Sequence, residues 1–157
     1  MLLALKYEVR TVKFQQVETI INKFNKDVLE HSENVSFLSY ALARKLNLSA
    51  EERELAYFGG LLHEAGKFND IFLKYHLPDD VYPYFSFIEV CVLGNYELAK
   101  EVLLHQETKR SKVSQIIGIS DYCFHNKNNN DMLILINDKY DQEIIDALLS
   151  FDFSELE

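Results

Sequence analysis

Four residues in three separate segments carry the chemistry open to this chain: His31, the adjacent pair His63 and Glu64, and Asp121. Two imidazoles with two carboxylates suit a divalent ion such as Mn, Fe, Co, Zn or Ni, whereas carboxylates alone suit Mg or Ca. Such an ion polarises a phosphoryl group and orients an activated water, which is the chemistry of phosphate-ester hydrolysis. Lys67 follows Gly66 and is placed to approach the same pocket, where its cation would hold a phosphate oxygen. The metal candidates are therefore His31, His63, Glu64 and Asp121, and the catalytic candidates are Glu64 and Lys67.

Neighbours on a regular helix diverge by about 100°, so His63 and Glu64 reach one ion only near a helix end. The apolar spacing supplies such elements. Val17, Ile20, Ile21 and Phe24 mark one helix face from Phe14 onward. A second helix is expected from about Ser32 to Leu46, with Val35, Leu38, Leu42 and Leu46 inward and His31 at its start. Ser49-Ala50-Glu51-Glu52 reads as a capping box opening a third helix that runs to about His63. Gly59 and Gly60 inside it imply close packing on a neighbour, and Gly66 is expected to end it. Residues 69–76 fit a short helix or a turn. Helices follow at about 84–93 and 95–105, and Ser111 caps one that brings Asp121 close to the core. Asp141 caps a last amphipathic helix, about 141–150. Residues 3–12 alternate loosely, as a strand or extended arm would, and 132–136 fits strand or helix. The fold class expected is all-α, one domain over 1–157 of six or seven helices, with a minor two-stranded element joining 3–12 to 132–136.

The chain has 157 residues, 48% of them hydrophobic and 26% charged, enough apolar material for a core. A formal net charge of -9 argues against duplex nucleic acid as a partner, because that grip needs a basic footprint. A small nucleotide stays compatible, since a metal supplies local positive charge. Cys91 and Cys123 form no CxxC pair, which fits a reducing cytoplasm. The run Met1 to Leu5 is too short for a signal-peptide core, and no stretch approaches the ~20 apolar residues of a membrane span.

The segments His31-Ser32-x-x-Val35, Leu61-Leu62-His63-Glu64-x-Gly66-Lys67 and Ile116-Ile117-x-x-Ser120-Asp121 together resemble the HD superfamily of metal-dependent phosphohydrolases. The likeness spans about residues 14–125. It implies an all-helical fold with a metal in a central cleft. It is nearest in flavour to the HD-GYP branch, which hydrolyses cyclic di-GMP. His31-Ser32 and the tail Tyr140-Asp141-Gln142-Glu143-Ile144-Ile145 look like that branch, and His105-Gln106-Glu107 is similar to its His-His-Glu with one histidine lost. The resemblance makes His105 a further metal candidate. The chain departs from the pattern at Glu64, where the family has aspartate, and it lacks the Gly-Tyr-Pro loop. Glutamate is one methylene longer and carries its oxygens ~1.5 Å further out.

Two functions compete on this reading. One is a metal-dependent phosphohydrolase acting on a nucleotide phosphomonoester or cyclic phosphodiester. The other is a catalytically degenerate HD or HD-GYP-like module that binds a nucleotide or a protein, with homo-oligomerisation among its options. A plain scaffold without metal is a weaker third. Among the remaining histidines, His76 and His125 are read as ordinary surface or core residues. Glu64 pairing with Lys67, or capping a helix, is the bland alternative to ligation.

Overall fold

The structure is a computed structural model that describes residues 14–107, 111–126 and 139–156. Five of the helices begin where a short polar side chain satisfies orphan amides. Asn25 accepts from the Val28 N–H and opens the longest helix. Ser49 and Glu52 form the reciprocal capping box, and Asn69, Asn95 and Ser111 cap three later helices. Each such cap contributes about 1 kcal/mol.

In chain order the helices are α1 (Phe14–Ile21), α2 (Lys26–Lys45), α3 (Ala50–Leu62), α4 (Asp70–Tyr75), α5 (Tyr82–Cys91), α6 (Tyr96–Leu104), α7 (Lys112–His125) and α8 (Gln142–Leu149). Short 3-10 turns lie at Ala65–Phe68, Asp79–Val81 and Phe153–Leu156. The described residues contain no strand, so the all-α class holds. The suggested strand pair falls at 3–12 and 132–136, outside the described residues. No described helix is long and apolar enough to cross a membrane.

Helix α2 packs on α3 and α7, and α3 packs in turn on α6 and α7. Two apolar clusters fill the spaces between them. Leu38, Leu42, Ile116, Ile117, Ile119, Ile144 and Ile145 form one. Val17, Phe58, Leu61, Leu62, Val90, Leu98 and Val102 form the other. Each such side chain contributes roughly 1.5–3 kcal/mol when buried fully. His63 follows directly on Leu62, and Asp121 lies two residues beyond Ile119, so both are delivered by core segments.

Two boundaries differ from the periodicity reading. Helix α2 starts six residues before Ser32, at Lys26, because Asn25 caps it. His31 therefore stands in the second turn rather than at the start. The polar run Glu30 to Asn34 masked this turn from any search for apolar spacing. Helix α5 likewise begins at Tyr82, with Pro83 in its first turn, where a missing N–H costs nothing.

Gly66 does not end α3. That helix stops at Leu62, and Gly66 sits in the following 3-10 turn without a positive φ. A Cβ there would come within 2.1 Å of the Tyr82 carbonyl oxygen and 2.4 Å of the Ser86 nitrogen. Close approach to the α5 backbone is what requires glycine. Asp141 opens α8, but its side chain makes no cap; its carboxylate accepts from the Gln115 side-chain amide and its N–H donates to Gln115 Oε1.

Candidate metal centre

Helix α3 ends at Leu62, and His63 occupies its C-cap, fully buried. The ring is locked from one side. His63 Nδ1 lies 2.7 Å from the Gly60 carbonyl oxygen. A carbonyl only accepts, so Nδ1 carries the proton and the Nε2 lone pair faces the interior of the site. The main chain around it is fixed as well. The Ser86 hydroxyl donates to the His63 carbonyl at 2.8 Å and accepts from the Gly66 N–H at 2.7 Å.

Two other helices aim at the same point. From α2, His31 Nε2 lies 3.0 Å from Asp121 Oδ1. From α7, Asp121 is mostly buried, and its Oδ1 lies 3.4 Å from His63 Nε2. His31, His63 and Asp121 thus converge, with donor atoms within 4.8 Å of one another. Nε2 of His63 has no hydrogen-bond partner although it is buried. An imidazole lone pair facing a carboxylate oxygen is repulsive unless a proton or a metal cation lies between them. The donor set, two imidazole nitrogens and a carboxylate oxygen, with one ring tethered to a backbone carbonyl, is one that could hold a transition-metal ion.

The electrostatics agree. Burial on its own raises the Asp121 carboxyl, but the His63 charge and hydrogen bonds from His125 and His31 outweigh it, holding Asp121 well below the usual carboxylate range. For His63, burial works against protonation, and the Asp121 charge, aided by Glu64 and the Gly60 carbonyl, overrides it and raises the ring. His125 is raised by its hydrogen bond to Asp121. Burial, together with the Asp121 and Glu64 charges, pushes the Tyr82 hydroxyl far up, so it stays neutral and accepts from Gln106 at 2.7 Å. Opposing shifts gathered on one cluster of side chains make it a candidate functional site.

The remaining candidates take different positions. Glu64 is buried and belongs to a second converging set, His31, Glu64 and His125. It is ion-paired with Lys67. Lys67 therefore does not present an unengaged cation; its Nζ serves Glu64 and lies 4.6 Å above the Tyr82 ring. His105 is buried, with Nδ1 2.5 Å from the Val102 carbonyl oxygen, and packs edge-on to His63 at 5.4 Å between ring centroids. It belongs to neither set of converging donors among the described residues. His76 caps α4 in a left-handed conformation and belongs to neither set among the described residues.

His125 is the residue that sequence reasoning passed over. It lies one turn beyond Asp121 on α7, with Nε2 3.1 Å from Asp121 Oδ1 and its ring 4.6 Å from that of His31. The i, i+4 spacing from Asp121 was the available signal, since it places both side chains on one helix face.

The HD domain family matches residues 28–125, nearly two thirds of the chain. The chain belongs to that family, whose general activity is metal-dependent phosphohydrolysis. No curated protein matches it.

Proposed function

We propose that this protein is a divalent-metal-dependent phosphohydrolase of a small nucleotide, as monoester or cyclic phosphodiester, and that His31, His63 and Asp121 hold the ion. The observation that carries the reading is the tethered His63 ring, whose buried Nε2 lone pair faces Asp121. When bound, the ion supplies Lewis-acid charge for the phosphoryl group and activation of water. The chain's own residues do the rest. Gly60 fixes the tautomer of His63, Ser86 holds the turn that follows it, and Asp121 supplies the compensating anionic charge. A phosphate oxygen entering beside Tyr82 competes with Glu64 for Lys67 Nζ, which puts a positive charge on the substrate and releases Glu64 toward the centre. The acidic surface favours a small ligand that arrives with its charge partly neutralised.

A second reading, a binding module without turnover, is favoured by one observation: buried Glu64 and Lys67 neutralise each other beside the converging donors. Metal analysis of the purified chain beside hydrolysis of an aryl phosphate tests the first reading. We expect bound transition metal and metal-dependent release of phosphate; metal without release supports the second, and no metal rejects the first. Glu64→Asp separates them further. The shorter carboxylate cannot reach Lys67 as easily and restores the family's usual residue, so turnover should be preserved or raised. Tighter Mn(II) binding by titration with turnover still absent would assign the protein to the binding class. Cyclic di-GMP is the poorer substrate on this reading, because the Gly-Tyr-Pro loop is absent from the sequence and His105 stands outside the converging donors. Rapid metal-dependent linearisation of that dinucleotide would overturn this choice of substrate.

A further inference from the structure

Three imidazole nitrogens crowd one oxygen. Nε2 of His31, His63 and His125 lie 3.0, 3.4 and 3.1 Å from Asp121 Oδ1. A carboxylate oxygen offers two lone pairs, one fewer than the groups gathered on it. His63 cannot donate from Nε2 while neutral, because its single proton is committed to the Gly60 carbonyl. The distances have the scale of a coordination shell. With bonds of about 2.1 Å, adjacent ligand atoms stand roughly 3.0 Å apart in an octahedron and 3.4 Å apart in a tetrahedron.

We infer that His125 is a metal ligand of this same centre, set on its solvent side, so that it joins His31, His63 and Asp121 on one ion. The inference rests on the proposed metal site and adds a ligand to it. His125 shares a converging donor set with His31 and Glu64, within 4.8 Å. The two sets share His31, and His125 Nε2 also stands 3.1 Å from Asp121 Oδ1 of the first set, so the second set extends the first centre. Glu64 is drawn toward Lys67, which offsets its charge. A further imidazole supplies the donor strength that this pairing withdraws. The side chain of His125 is 57% exposed, so the ion it helps to hold is reachable by substrate.

Titration of the metal-free full chain with Co(II), followed by its visible absorption, tests this. We expect one Co(II) per wild-type chain. His125→Ala should bind at least about tenfold more weakly, with an altered visible band. His125→Gln keeps a hydrogen-bond donor for Asp121 but is a poor ligand for Co(II), so it should behave like the alanine variant. If His125→Gln keeps wild-type affinity and spectrum, His125 only hydrogen-bonds Asp121 and the inference fails. Two ions bound by the wild type and one by His125→Ala would also overturn it, since His125 would then serve a separate site. Loss of binding in Asp121→Ala with none in either His125 variant rejects the ligand role and leaves the proposed function standing. Absence of Co(II) binding by the wild type rejects both.

Discussion

Replacing Asp121 with alanine should remove metal binding and phosphoester hydrolysis together. Asp121 Oδ1 lies in contact range of the His31, His125 and His63 rings, at 3.0, 3.1 and 3.4 Å. Its buried carboxylate is also the charge that offsets a cation in the cleft. Removal of an outer partner of a metal ligand already costs about 10–100-fold in affinity, so loss of this anionic donor should exceed about 100-fold. The effect has a thermal signature that does not depend on turnover. A metal ion at 100 times its Kd stabilises the folded chain by about 2.7 kcal/mol. For a protein of this length that raises Tm by about 5–11 °C. Wild type should show the rise on adding Mn(II) or Co(II), and Asp121→Ala should not. An equal rise in the variant would remove Asp121 from the centre, and with it the proposed reaction.

Gly60→Val should damage stability and activity at once. A Cβ at Gly60 would meet the Ser36 Cα at 2.7 Å, the Ser36 nitrogen at 2.9 Å and the Val35 carbonyl carbon at 3.1 Å. All three are backbone atoms of α2, which cannot swing aside as a side-chain tip does. The helices must therefore separate, at about 3 kcal/mol, the upper end of overpacking costs. His31 rides on α2 and His63 caps α3, so the same separation pulls two of the proposed ligands apart. A displacement near 1 Å at a reacting centre costs roughly 100-fold in rate. Urea unfolding and aryl-phosphate hydrolysis measure the two effects. Stability within about 0.5 kcal/mol of wild type would show that α2 and α3 tolerate a side chain at their crossing.

The helical class and most helix starts were legible in the sequence because their causes are local, and four of the converging residues, His31, His63, Glu64 and Asp121, were legible through the resemblance their motifs carry. Ser49 and Glu52 satisfy amides within one turn of themselves, and Leu38, Leu42, Ile116 and Ile119 advertise a buried face by spacing alone. Asn25 was equally local, yet the polar stretch Glu30 to Asn34 hid the turn it opens. His125 carried its signal at four residues from Asp121, but a solitary histidine near a helix end has no distinguishing feature until its neighbours are known. The role of Gly66 was not legible, because the atoms that exclude a side chain there belong to Tyr82 and Ser86 on another helix. Nor could the sequence decide between Lys67 gripping phosphate and Lys67 pairing with Glu64, since both follow from the same three-residue spacing. What tertiary structure alone decided is the meeting of His31 with Asp121 across 90 positions of chain. Caps and apolar periods act over one or two turns, whereas this contact exists only because α2 packs against both α3 and α7.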